Sequence, residues 1–224
     1  AADAPPAAID VASTPMIDAV AEQTPGASLT AEVHLDPAAD LFLVQHRFKG
    51  APLIPVLLTL ETMAQAALLA AGGNKQVAAL KNIEIVNGPR FLSDAKVTAR
   101  VHAAVNGSDV ACDFTSDFFN RKGVLLVKDK PYLRCVAETV DRLAPLPAPQ
   151  PVGEREWVDC WYPEEDVVIW HGPEFRCLRQ IAVDGDHGWG KLVAPSRTGN
   201  LGGHRAGDAW QLPAALLDSA FCAC

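Results

Sequence analysis

From Ser28 to Leu35 the chain alternates: Leu29, Ala31, Val33 and Leu35 fall on one side, Thr30, Glu32 and His34 on the other. A period of two is that of a strand with one buried face. The pattern then changes. From Pro52 to Ala71 apolar residues fall all round a helical wheel, which predicts a helix wrapped by protein on every side. Pro55 suits its first turn, and Gly72-Gly73 suits its stop. Glu61 and Gln65 interrupt the run and basic flanks are lacking, so a membrane span is not expected. After the helix the period returns to two, predicting strands at Leu80–Val86, Lys96–Ala104, Val110–Thr115, Gly123–Val127 and Tyr132–Val140, with a hairpin turn at Asn106-Gly107. One strand, one buried helix and a run of antiparallel strands make an α+β unit, a sheet curled around a single helix.

A Pro-rich stretch, Leu143–Val152, can neither continue a helix nor sit inside a sheet. Beyond it the order begins again. Strands are expected at Val167–Trp170, Ile181–Val183 and Trp189–Val193, then a Gly-rich loop, Thr198–Gly207, and an apolar helix, Leu212–Cys224, with one carboxylate, Asp218. The expected division is therefore a linker at 1–26, a first unit at 27–142, an inter-unit linker at 143–152 and a second unit at 153–224 that breaks off after its helix.

The formal charge of −8 argues against nucleic acid and anionic membrane surfaces as partners. The Ala/Pro-rich start, Ala1 to Pro25, lacks the basic and apolar regions of a secretory signal and reads as the tail of an interdomain linker. The six cysteines form no C-x-x-C pair and no zinc spacing, so reduced thiols of a cytoplasmic protein are expected, with no metal. Asp184-Gly185-Asp186 lacks the rest of a calcium loop and reads as a turn, and histidines 34, 102, 187 and 204 read as surface residues.

The run Gln45–Ala67, QHRFKGAPLIPVLLTLETMAQAA, carries a resemblance. His46, Gly50 and Pro55 fit the His-x-x-x-Gly-x-x-x-x-Pro pattern of the hotdog-fold dehydratase domains of polyketide and polyunsaturated fatty acid synthases. Leu60–Ala66 is similar to the helix of free-standing 3-hydroxyacyl-carrier-protein dehydratases. Asp40–Leu43 and Gly88–Phe91 resemble the flanking segments of that family. In the second unit His171-Gly172-Pro173-Glu174-Phe175 resembles the family's Tyr-Gly-Pro-x-Phe, with His171 in the Tyr position. Pro213–Asp218 resembles the family's His-Pro-x-x-x-Asp, with Pro213 where the His would stand and Cys222 where a Gln or His would follow.

The resemblance implies a double hotdog, its second half truncated, that removes water from a 3-hydroxyacyl thioester. It implies His46 and Asp218 as the catalytic pair, and substrate contact from Gly50, Pro55, Val56, His171, Pro173, Phe175 and Cys222. It further implies no cofactor, and as partners an acyl carrier protein bearing a phosphopantetheine-bound substrate and the neighbouring synthase domains; it also allows a homodimer. Acyl carriers are acidic, so any docking patch on this acidic chain must be local.

The residues have their own physical reading. An imidazole with an ordinary pKa near 6.5, just ahead of an apolar helix, suits removal of a proton α to a thioester carbonyl. N–H groups at the helix start can meet the enolate charge. Leu216, Leu217, Ala220 and Phe221 give Asp218 an apolar setting that suits a proton donor. Val56 stands where the family has Gly, which crowds the oxyanion donor. In fused double hotdogs the acid comes from the second helix, so Glu61 is expected to face a vestigial site and to bond Gln65 or nearby backbone. The departures at Val56, Pro213 and Cys222 leave open a catalytically silent or product-shaping domain. A hotdog thioesterase, working with a carboxylate and water, is the weaker alternative.

Overall fold

The computed structural model describes residues 14–88, 91, 94–120, 122–164, 167–195, 201–205 and 209–221. The first unit holds β1 (Ala19–Thr24), β2 (Ser28–Leu35), a short helix α1 (Leu41–Val44), β3 (His46–Phe48), β4 (Ala51–Pro52) and the long helix α2 (Val56–Ala71). β5 (Gln76–Ile85), β6 (Val97–Asn106), β7 (Asp109–Phe119) and β8 (Leu125–Val140) follow. The second unit holds β9 (Val158–Asp159), β10 (Ile169–His171), a 3-10 turn (Pro173–Phe175), β11 (Leu178–Asp184), β12 (His187–Leu192) and α3 (Ala214–Phe221).

Six antiparallel strands in the order β1-β2-β6-β7-β8-β5 curl around α2. The alternation in β2 is obeyed: Leu29, Ala31, Val33 and Leu35 are buried. They pair in register with β6, whose Ala99, Val101 and Ala103 face the same core. α2 is buried nearly all round, as its wheel predicts, with Leu58, Met63 and Ala66 wholly enclosed. Truncating Leu58 to Ala should cost about 2–5 kcal/mol, because the surrounding sheet cannot collapse onto the hole. Cys112 and Cys135 face each other across β7 and β8 as free thiols and pack against Met63.

The fold departs from the sequence pattern in two places. Residues 19–24 lie within the stretch expected as linker yet form β1, paired antiparallel with β2 through a turn at Gly26. Just before it, Met16 and Ile17 are buried, and the Met16 N–H donates to Gln65 Oε1 at 2.8 Å. Residues 125–127 of the run 123–127, and the whole of 132–140, expected as separate strands, lie in one bent strand, β8. The bend is at Asp129, in the left-handed region at φ 47. Its N–H donates to Asp117 Oδ1 at 3.0 Å, and Arg100 grips both carboxylates. Those bonds compensate a break that Pro131 would otherwise make.

The second unit adds a small sheet, β12-β11-β9, against which α3 packs while also touching α2. A third ribbon, β10-β3-β4, crosses between the units. Residues 143–152 are exposed and without regular structure. A buried arginine adds a further tie: Arg205 Nε donates to Asp40 Oδ1 at 2.7 Å, and its other nitrogens reach Asp18, the Pro15 carbonyl and the His34 carbonyl. Among the described residues no helix is long and apolar enough to cross a membrane.

Candidate active site

The site begins with a strand register. β3 and β10 pair so that His46 stands opposite His171, although 125 positions separate them in the chain. The pairing is held at its end by Gln45. Its carbonyl accepts the Gly172 N–H at 2.7 Å, and its Oε1 accepts the Glu174 N–H at 2.8 Å. A Cβ at Gly172 would lie 2.7 Å from the Gln45 side chain, so only glycine permits this approach. The two imidazole centroids are 5.1 Å apart, edge to face, and the wholly buried Phe175 ring packs behind both.

His46 Nδ1 lies 2.8 Å from the Leu53 carbonyl. A carbonyl only accepts, so Nδ1 carries the proton and the basic lone pair falls to Nε2. Burial pulls the ring below the ordinary histidine range and His171 adds to this, while Asp218 and the Leu53 carbonyl pull the other way. The ring is thus a neutral base at neutral pH.

Asp218 comes from α3. The neighbouring Ser219, fully buried, donates to the Phe175 carbonyl at 2.6 Å and accepts the Cys177 N–H at 3.1 Å. This fixes the helix on the turn that backs the histidines. Asp218 Oδ2 lies 3.6 Å from His171 Nε2. Nitrogen and oxygen atoms of His46, His171 and Asp218 all lie within 4.8 Å of one another.

These three side chains open on a cavity of about 390 Å³ walled by Leu53, Ile54, Val56, Leu57, Ile85 and Leu133 among others. An apolar pocket of that size with a few converging polar groups has the character of a small-molecule site. Val56 and Leu57, the first residues of α2, border it, and helix geometry leaves first-turn N–H groups without intrahelical partners.

The structure sorts the other expected contacts differently. Gly50 does not line this cavity: it makes the β3–β4 turn at φ 80, its carbonyl takes Arg47 Nη1, and it borders a shallow cleft with Val44 and Trp170. Pro55 precedes α2, and its carbonyl accepts the Leu58 and Thr59 N–H groups. Pro173 opens the 3-10 turn and Phe175 backs the histidines, so both support the site from outside the cavity wall. Cys222, and Pro89 and Arg90 of the flanking motif, lie outside the described residues.

Glu61 bonds Gln65, as expected, together with two backbone groups of the second unit. It is wholly buried, and it accepts Gln65 Nε2 and the backbone N–H groups of Gln211 and Leu212 at 2.6–2.7 Å. Burial pushes its carboxyl up, against these three bonds.

No protein-family model matches the sequence, and no curated protein matches it either. Solved structures do. The dehydratase domain of the CurJ module of curacin polyketide synthase superposes with a TM-score of 0.68 at 15% identity, over 92% of this chain and 69% of that one. That of the CurF module gives 0.66 at 16% identity, over 93% of this chain and 74% of that one. The dehydratase domain of the terminal module of rifamycin polyketide synthase gives 0.66 at 18% identity, over 94% and 74%. The chain has the double-hotdog fold of polyketide synthase dehydratase domains, and it spans about three quarters of the CurF and rifamycin domains.

Proposed function

We propose that this domain eliminates water from a 3-hydroxyacyl thioester carried on an acyl carrier protein, giving the 2-enoyl thioester. The observation that carries the reading is a neutral His46, its Nδ1 held by Leu53, facing Asp218 in one apolar cavity. His46 Nε2 takes the proton α to the thioester carbonyl. The Leu53 carbonyl on Nδ1 stabilises the imidazolium that forms. N–H groups at the start of α2 meet the negative charge on the thioester oxygen. Hydroxide is a poor leaving group, so the 3-hydroxyl departs as water with a proton from the Asp218 carboxyl. Return of one proton from His46 to Asp218 resets the site. His171, in contact with Asp218, orients that carboxyl.

The neighbouring synthase domains and a phosphopantetheine-bound substrate follow as partners. The test is incubation of the purified protein with a 3-hydroxyacyl pantetheine thioester, read by mass. Loss of one water from the acyl group supports the reading. Release of free acid would mark a thioesterase, and an unchanged substrate a silent domain.

A further inference from the structure

The histidine opposite His46 gives the cavity something a proton-transfer pair does not need: a third side chain able to bind metal. We propose that His46, His171 and Asp218 form a site for a single divalent cation of the zinc class, and that its occupation shuts off the base.

Two imidazoles and one carboxylate suit Zn²⁺ or Co²⁺, whereas Mg²⁺ and Ca²⁺ prefer oxygen throughout. Zinc–nitrogen and zinc–oxygen bonds of about 2.0–2.2 Å place neighbouring ligand atoms of a tetrahedron roughly 3.4 Å apart. His171 Nε2 and Asp218 Oδ2 already stand at 3.6 Å, and all three side chains fall within 4.8 Å. The two edges to His46 are at most 4.8 Å and would shorten toward that spacing around a bound ion.

The supports are in place as well. Metal-binding histidines generally give their second nitrogen to a carbonyl or carboxylate, and His46 Nδ1 does so to Leu53. The three ligands stand on β3, β10 and α3, fixed to one another by strand register and by Ser219. The cavity wall includes no Lys or Arg among the described residues, so no resident cation competes there. Three protein ligands and a cavity on the remaining side leave a position for water or a substrate oxygen.

The metal would use the same Nε2 lone pair that proton abstraction needs. Binding does not depend on the dehydratase reading; inhibition does.

The test is therefore made first without substrate. Chelator-stripped protein is titrated with Zn²⁺ by calorimetry and with Co²⁺ by visible absorption. One equivalent of each should bind, and the Co²⁺ spectrum should lack the near-ultraviolet thiolate band that cysteine ligands would give. His171→Phe keeps a ring against Phe175, and Asp218→Asn keeps the size of the side chain. Each should weaken Zn²⁺ by at least about tenfold, with folding checked from the melting temperature without metal. No saturable binding, a thiolate band, or unchanged affinity in whichever variant folds would overturn the site. With a 3-hydroxyacyl thioester present, Zn²⁺ should abolish turnover and chelator should restore it. A protein that binds Zn²⁺ in this way yet never turns over would retain the metal site and lose the dehydratase reading.

Discussion

The two apolar helices each carry one carboxylate, and the two carboxylates do opposite things. Glu61, midway along α2, spends its oxygens on the N–H groups of Gln65, Gln211 and Leu212. It is a fastener that ties the approach to α3 onto α2. Asp218, on α3, meets His171 and borders the cavity. The difference does not lie in the carboxyl group or in the apolar helix that carries it, which the two have in common. It lies in what surrounds the oxygens. A carboxylate that accepts from a side-chain amide and two backbone N–H groups cannot take part in proton exchange without giving up those bonds, whereas Asp218 stands against an imidazole at the wall of a cavity.

That contrast can be broken most directly by mutation. His46→Ala should lower dehydration of a 3-hydroxyacyl thioester on the order of 10²–10⁴-fold, and Asp218→Asn should do the same, with melting temperatures close to the parent's in both. An Asp218→Asn protein of full activity would end the distinction. Glu61→Gln should act the other way round. It places an amide N–H₂ against backbone donors and should cost roughly 1–3 kcal/mol in chemical denaturation, while each folded molecule keeps most of its turnover. Ser219→Ala lies between the two, since the Cys177 N–H and the Phe175 carbonyl both lose their partner. A stability loss of about 1 kcal/mol should come with a fall in kcat and little change in KM, because Asp218 is then held less firmly. The smallest effect is on pH. Burial lowers the His46 pKa from its ordinary value of 6.5. Protonation disables the base only below that lowered value, so the acid limb of kcat/KM should bend at a pH under 6.5. A bend above 6.5 would place the titrating group elsewhere.

Much of this was legible in the sequence where the pattern was long and regular. The buried α2, the alternation of β2 and β6, and the break at 143–152 follow from periodicity and proline alone. The pairing of His46 with Asp218 is what the resemblance to synthase dehydratase domains implies, and the structure sets both side chains on one cavity. Short or polar elements were not legible. β1 reads AVAEQT, whose outer residues are exposed at a sheet edge, so no apolar alternation marks it. The bend in β8 looks like a turn because Asp129 and Pro131 are turn residues; Arg100, Asp117 and the pairing with β7 hold it as a strand. Ser219 and Gln45 adjoin Asp218 and His46, and a polar neighbour of a candidate site residue is the signal that could have marked them. Arg205 gave none, since its partners Asp18, Asp40, Pro15 and His34 come together only in three dimensions.

The exposed segment 143–152 has a consequence for how such domains can vary. The register that sets His171 against His46 is fixed locally by Gln45, Gly172 and Glu174, not by the tension or length of the connecting chain. Closing a flexible loop of twice the length costs only about 0.6 kcal/mol more. Insertions there should accumulate almost without cost, and the two halves can drift in sequence as separate pieces joined by an elastic seam. A single residue inserted between Trp170 and Gly172 is another matter. It would shift β10 by one place and turn the imidazole to the far face of the ribbon. Ten residues of tolerance thus lie a short way along the chain from a position that allows none.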